Sequence, residues 1–159
     1  MVSLTTRMPS GFAGRITRHD GITVEQNVIN AASPPTAYGT FVKLVAGQVQ
    51  PVTTGDTAAN VYGVLVSPFP ASGASGLGAV APQTFGICDV LLRGYIAVSL
   101  GFGTAVKGAP VYLRTVASGA KLVGAIEAVA DGTNNFVVAG AFFEGPADAT
   151  GVVEIRVNI

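Results

Sequence analysis

His19 and Cys88 are the side chains best suited to covalent or acid–base chemistry in this sequence, and each residue type occurs once. A Ser-His-Asp triad needs a histidine held beside a nucleophile, and no Gly-x-Ser-x-Gly sits in a strand-turn-helix context. A Cys-His pair would have to join Cys88 to His19. Cys88 is followed by Asp89, whose charge raises a thiol pKa rather than activating it. A structural zinc takes four ligands, usually Cys and His, and this chain holds two such residues in all. The nine acids are scattered, with no Asp-x-Asp-x-Asp-Gly loop for calcium. Residues 73–78 are glycine-rich, but neither Lys-Ser nor Lys-Thr follows and no helix opens after them, so they do not make a phosphate cradle. Paired acids for glycoside hydrolysis need a fold to bring them together, and the chain has no Trp to stack on sugar rings. The expectation is a protein without catalytic residues, metal or cofactor.

What composition offers instead is surface. Charged residues make up 11% of the 159, against about 25% in ordinary domains. Hydrophobic residues reach 49%, with 21 glycines and a formal net charge of zero; mean hydropathy is +0.53. A surface with so few like charges favours association, and exposed apolar patches mark interaction sites. Nine basic residues are balanced by nine acidic ones, which argues against direct nucleic-acid binding, because neutralising phosphates takes a basic patch. A membrane-spanning helix takes about 20 apolar residues; the apolar stretch at residues 91–100 is shorter and contains Arg93. At the start of the sequence no apolar run follows a basic one, so no signal peptide is expected.

These features need elements to carry them, and the period of the sequence is two. Ile22 and Val24 alternate with Thr23 and Glu25. Phe41-Val42-Lys43-Leu44-Val45 closes at Ala46-Gly47, with Val49-Gln50-Pro51-Val52 as its hairpin partner. Val61-Tyr62-Gly63-Val64-Leu65-Val66 is rich in β-branched and aromatic residues. The strongest strand runs over residues 87–100, with Gly94 at its middle, where a glycine suggests a bulge or bend. Residues 110–114 and 121–123 read as a hairpin around Ser118-Gly119. Residues 136–143 and 152–157 close the domain, with Val153, Ile155 and Val157 on one face and Glu154 and Arg156 on the other. Only residues 124–131 offer a helical turn or two. Strands at this spacing imply an all-β, single-domain antiparallel β-sandwich or barrel, jelly-roll-like, over residues 21–159.

Two segments stand outside that pattern. Residues 1–20 carry Arg7, Arg15 and Arg18 against one acid, with Pro9, Gly11 and Gly14 and no strand or helix period; they read as an extended N-terminal arm that Phe12 and Ile16 could dock. Residues 68–84 are rich in Gly, Ser and Ala and read as a long surface loop, a kind often functional in compact domains; Phe69 and Leu77 are its large apolar residues.

Gly14-Arg15-Ile16-Thr17-Arg18, Thr23-Val24-Glu25 and Tyr38-Gly39-Thr40-Phe41-Val42-Lys43-Leu44 resemble the opening of structural cement, or head decoration, proteins of tailed bacteriophages. Val61-Tyr62-Gly63-Val64-Leu65-Val66-Ser67-Pro68-Phe69-Pro70, Asp89-Val90-Leu91-Leu92-Arg93-Gly94-Tyr95-Ile96-Ala97-Val98 and Lys107-Gly108-Ala109-Pro110-Val111-Tyr112-Leu113 resemble their middle. Ser67 stands where a basic residue is expected in that family. The resemblance covers most of residues 14–114. It implies a non-catalytic protein on the capsid exterior of a virion, made in the host cytoplasm, that braces the shell at capsomer junctions. The implied partners are the major capsid protein and further copies of this chain, as a dimer or trimer. The contact residues expected on this reading are Arg7, Phe12, Arg15, Ile16, Arg18, Phe69 and Leu77. The competing readings are a virion-surface carbohydrate-binding or host-adhesion module, for which the long loop speaks, and a small β-barrel hydrolase or lyase with dispersed acids.

Overall fold

The alternating segments become nine strands in a computed structural model that describes residues 11–68 and 81–159. They are β1 (Ile16–Ile29), β2 (Phe41–Val45), β3 (Gln48–Pro51), β4 (Gly63–Leu65), β5 (Gly86–Phe102), β6 (Pro110–Arg114), β7 (Ile126–Glu127), β8 (Asn135–Phe143) and β9 (Val152–Asn158), with one short 3-10 turn at Ala58–Asn60. All nine belong to a single sheet of order β1-β3-β2-β4-β5-β7-β6-β8-β9, and extra pairings β1–β5 and β5–β9 close it on itself. The pairings thus form two circuits, β1-β3-β2-β4-β5 and β5-β7-β6-β8-β9, which share β5. The chain is all-β and one domain, as its period implies. Most pairings are antiparallel, while β1–β3 and β5–β7 are parallel.

Side-chain alternation fills both circuits at once. Successive strand residues point to opposite faces, so Phe41, Val64 and Leu91 enter the main core while their neighbours Val42, Leu65 and Val90 enter a second, smaller cluster with Val49. The main core continues through Ile96, Val98, Val111, Leu113, Phe143 and Ile155.

The β2–β3 hairpin forms as its sequence suggests. Ala46 and Gly47 both take positive φ, 50° and 77°, which matches the tight turns that follow strand twist, and Val45 faces Gln48 across it. Gly94 is the bend in β5. Its φ is +140°, and a Cβ there would lie 3.0 Å from Ile22 Cγ2. The β1–β5 register shifts between Arg18 and Thr23, so β1 and β5 are irregular together.

Three local expectations need correcting. The first strand begins at Ile16 rather than after Gly21: residues 16–18 lack alternation, but their backbone is claimed by β5, with Ile16 opposite Ile96 and Arg18 opposite Tyr95. Residues 121–123 do not pair with β6. Lys121 forms a single bridge to Ser118, and β6 pairs with β7 and β8 instead, because Ile126 is buried whereas Leu122 is 69% exposed. Residues 124–131 contain β7 and no helical turn, since Arg114 draws Glu127 into the interior.

Candidate interaction surface

Two polar clusters and one apolar row stand out, and their burial separates them. The first cluster is enclosed. Arg114 and Glu127 side chains are both fully buried. The guanidinium donates to Glu127 from Nε at 2.6 Å and from Nη2 at 3.1 Å, and from Nη1 to the Val116 carbonyl at 2.9 Å. It also donates to Asp131. Asn135 Nδ2 donates to Glu127 at 2.6 Å and to the Val129 carbonyl at 2.9 Å. Such bonds raise the Arg114 pKa, chiefly through Glu127, and Arg114 with Lys121 holds Asp131 down at about 2. A buried charge pair persists only when hydrogen-bonded this fully. Its donors are spent internally, so this cluster fastens β6, β7 and β8 together.

The second cluster is open. Strand register sets Arg18 beside Tyr95, Tyr95 beside Arg156, and Arg156 beside Phe142, a single row across β1, β5, β9 and β8. The Arg18 guanidinium lies 4.3 Å from the Tyr95 ring centroid, and that of Arg156 lies 5.4 Å from Phe142. Arg18 also donates to Glu154 at 3.1 and 2.6 Å, and Thr17 Oγ1 donates to the same carboxylate at 2.5 Å. Arg93, Gly94, Tyr95, Gly140, Phe142, Arg156 and Asn158 line one groove here.

The apolar row lies at the other end of β5. Ile87 faces Val28, Val28 faces Gln48, and Gln48 faces Val45. These four residues share a face across β5, β1, β3 and β2. Ile87 is 68% exposed, Val28 48% and Val45 42%, and Phe85 just before β5 is 71% exposed. Burying apolar area of this kind contributes about 25 cal/mol per Å² before association costs.

Of the expected contact residues, Arg7, Phe69 and Leu77 lie outside the described residues. Phe12 is exposed, in a turn where the Arg15 N–H donates to its carbonyl at 3.1 Å. Ile16 packs against the main core, and Arg18 belongs to the open cluster. The structure also joins two segments distant in sequence. The Ser67 N–H donates to the Gly14 carbonyl at 2.8 Å, and Gly14 in turn donates to Ala97 at 2.8 Å. Gly14 and Ser67 therefore lie side by side on the body. Pro68, Pro82, Gln83 and Ile87 border a shared hollow there, next to the apolar row.

Sequence reasoning missed Arg93, Tyr95, Phe142 and Arg156 as a group. The signal was faint: Arg93-Gly94-Tyr95 interrupts an apolar strand, but only the register shows what lies beside it. It missed the apolar row for the same reason. Cys88 is half-buried, and its pKa is raised by burial first and by Asp89 second. His19 is exposed on β1. Among the described residues no three His, Cys, Asp or Glu side chains gather as a metal site, and no helix is long and apolar enough to cross a membrane.

Residues 1–157 match the family described as XM1 gp53 minor capsid protein. No curated protein sequence matches the chain. Among solved structures, a chain from "The capsid of Myoviridae Phage XM1" has the same fold, with a TM-score of 0.69 at 20% identity, over 98% of this chain and 95% of that one. A match over nearly the whole sequence decides the family: the chain belongs to the XM1 gp53 minor capsid protein family, and is a structural component of the virion that associates with the capsid shell.

Proposed function

We propose that this protein is a cement or decoration protein, which binds the outer surface of the head at capsomer junctions and braces the shell. Its partners on this reading are the major capsid protein and other copies of itself. The observation that carries the reading is the convergence at one end of the domain. There the exposed row Ile87, Val28 and Val45, with Phe85, adjoins the hollow lined by Pro68, Pro82 and Ile87, beside the Gly14–Ser67 hydrogen bond. An apolar face with flanking segments suits a seam between subunits, because the face supplies burial and the segments extend reach. Many copies then act together through avidity. Phe12 and Arg15, with Arg7, Phe69 and Leu77 outside the described residues, are the proposed flanking contacts. Ile16 and Arg18 anchor the N-terminal segment to the body.

Co-sedimentation with phage heads that lack the protein, compact and expanded, tests the reading. Saturable binding to expanded heads, with a copy number matching a symmetry-related set of junctions, is the expected result. No binding of the folded protein to either form rules the reading out. Removal of residues 1–10 is the informative truncation, because Gly14 and Arg15 already hydrogen-bond to Ala97.

A further inference from the structure

The groove beside the open arginine row has chemistry of its own. It is an open hollow of about 420 Å³ lined by Asp20, Arg93, Gly94, Tyr95, Gly140, Phe142 and Arg156. Arg93 is exposed and, among the described residues, has no ion-pair partner. Arg156 is 49% exposed, and its ion pair with Glu144 is long, 3.8 Å from Nε, beyond hydrogen-bond distance. Phe142 holds that guanidinium by its face. A stacked guanidinium offers its edge to a planar, two-oxygen acceptor and has little freedom left to lose on binding. Two of the neighbouring carboxylates are withdrawn from the groove, while a third, Asp20, is part of its lining. Glu144 and Glu154 side chains are only 11% and 12% exposed, and Glu154 is held by Thr17 and Arg18.

Two glycines in the lining allow the close packing that shapes the groove. Gly140 has φ +78°, and a Cβ there would lie 2.2 Å from the Asn158 carbonyl oxygen. Gly94 also lines the groove, at a φ of +140° that a side chain would rarely adopt.

We infer that this groove binds an acidic segment of a partner protein, with Arg93 and Arg156 pairing its carboxylates and Tyr95 and Phe142 as the platform beneath. A protein segment fits better than a nucleic acid. The row is one residue wide, Asp20 sits on the rim, and the chain carries no net charge, whereas a phosphate backbone is bound by an extended basic track. The inference deepens the cement reading by naming a second contact on the shell and its chemistry, and it rests on that reading for the partner's identity only.

Two measurements decide it separately. In the first, the isotope-labelled full chain is titrated with an acetylated, amidated hexapeptide of four glutamates and two glycines, and backbone amide shifts are followed. Shifts centred on Gly94, Tyr95, Gly140 and Asn158, weakened about tenfold by Arg93→Gln with Arg156→Gln and reduced by added salt, are expected. Should the double variant not fold, Arg93→Gln alone serves, since that side chain holds nothing in place. Shifts elsewhere, no shifts, or a stronger response to a thymidine oligonucleotide overturn the inference. In the second, wild type and the double variant are compared on heads, with Ala120→Glu, an exposed site beyond the end of β6 opposite to the one that pairs with Phe142, as a control. Weaker binding by the double variant alone supports the groove as a shell contact. Equal binding by wild type and double variant removes the groove from the shell contact while leaving the cement reading intact. If wild type does not bind heads, the cement reading falls, and the peptide titration still decides the groove.

Discussion

Arg114 and Arg18 both grip a glutamate through two nitrogens, yet they do different work. The Arg114–Glu127 side chains are fully buried, while Arg18 is 49% exposed above a Glu154 that is 12% exposed. Inside, every donor must find a partner within the protein, so the cluster closes on itself through Asp131, Asn135 and two backbone carbonyls. At the surface, water satisfies what the protein does not, so guanidinium edges can remain available to a partner. Burial, rather than residue type, separates a fastening from a docking face.

The contrast predicts a graded set of effects. Glu127→Ala should be the most damaging change, costing about 3–5 kcal/mol because it removes the buried half of the pair and leaves the buried Arg114 with only the partly exposed Asp131 as counter-charge. Denaturant titration measures this, and near-wild-type stability would show that the interior cluster relaxes to admit water. Gly94→Val comes next, at about 1–3 kcal/mol, because φ +140° is strained for any side chain and Ile22 blocks the added carbon. A variant of wild-type stability would mean that β5 can straighten. Arg18→Ala should cost less than about 1 kcal/mol, since its pair is half in water. A larger loss, seen in the same titration, would move that pair into the fastening class.

Acid should touch the interior cluster last. The Asp131 carboxyl is held at about 2, below its ordinary 3.8, chiefly by Arg114 and then by Lys121. A lowered acid pKa stabilises the fold fully above the unfolded value, and that contribution is lost as pH falls through the folded one. Stability should therefore decline between about pH 4 and about pH 2, and Asp131→Asn should flatten that part of the profile. An unchanged profile in the variant would assign the acid sensitivity to other carboxylates.

The strands were largely readable because a period of two in β-branched and aromatic residues needs no partner to be seen. Phe41 to Val45, the turn at Ala46-Gly47 and the final strand from Val152 all follow from local pattern. The failures occurred where a distant residue decided. Residues 16–18 have no alternation, and β5 supplies their pairing. Residues 124–131 could turn helically by composition, but burial of Ile126 and the pull of Arg114 on Glu127 extend them. The proposed contact surfaces divide in the same way. Phe12 and Arg15 stand in a segment without period, whereas Arg93, Tyr95, Phe142 and Arg156 are spread over about two-fifths of the chain and become one groove only through register.

The sequence by itself determined an all-β domain, a nearly uncharged surface and a poverty of reactive side chains, because each of these is a property of local period or composition. Tertiary structure decided that one sheet closes into two circuits around β5. It also decided which arginines are sealed and which are exposed, and that Gly14 meets Ser67. Those outcomes depend on strand pairing across long separations, and a one-residue change of register would turn each side chain to the opposite face.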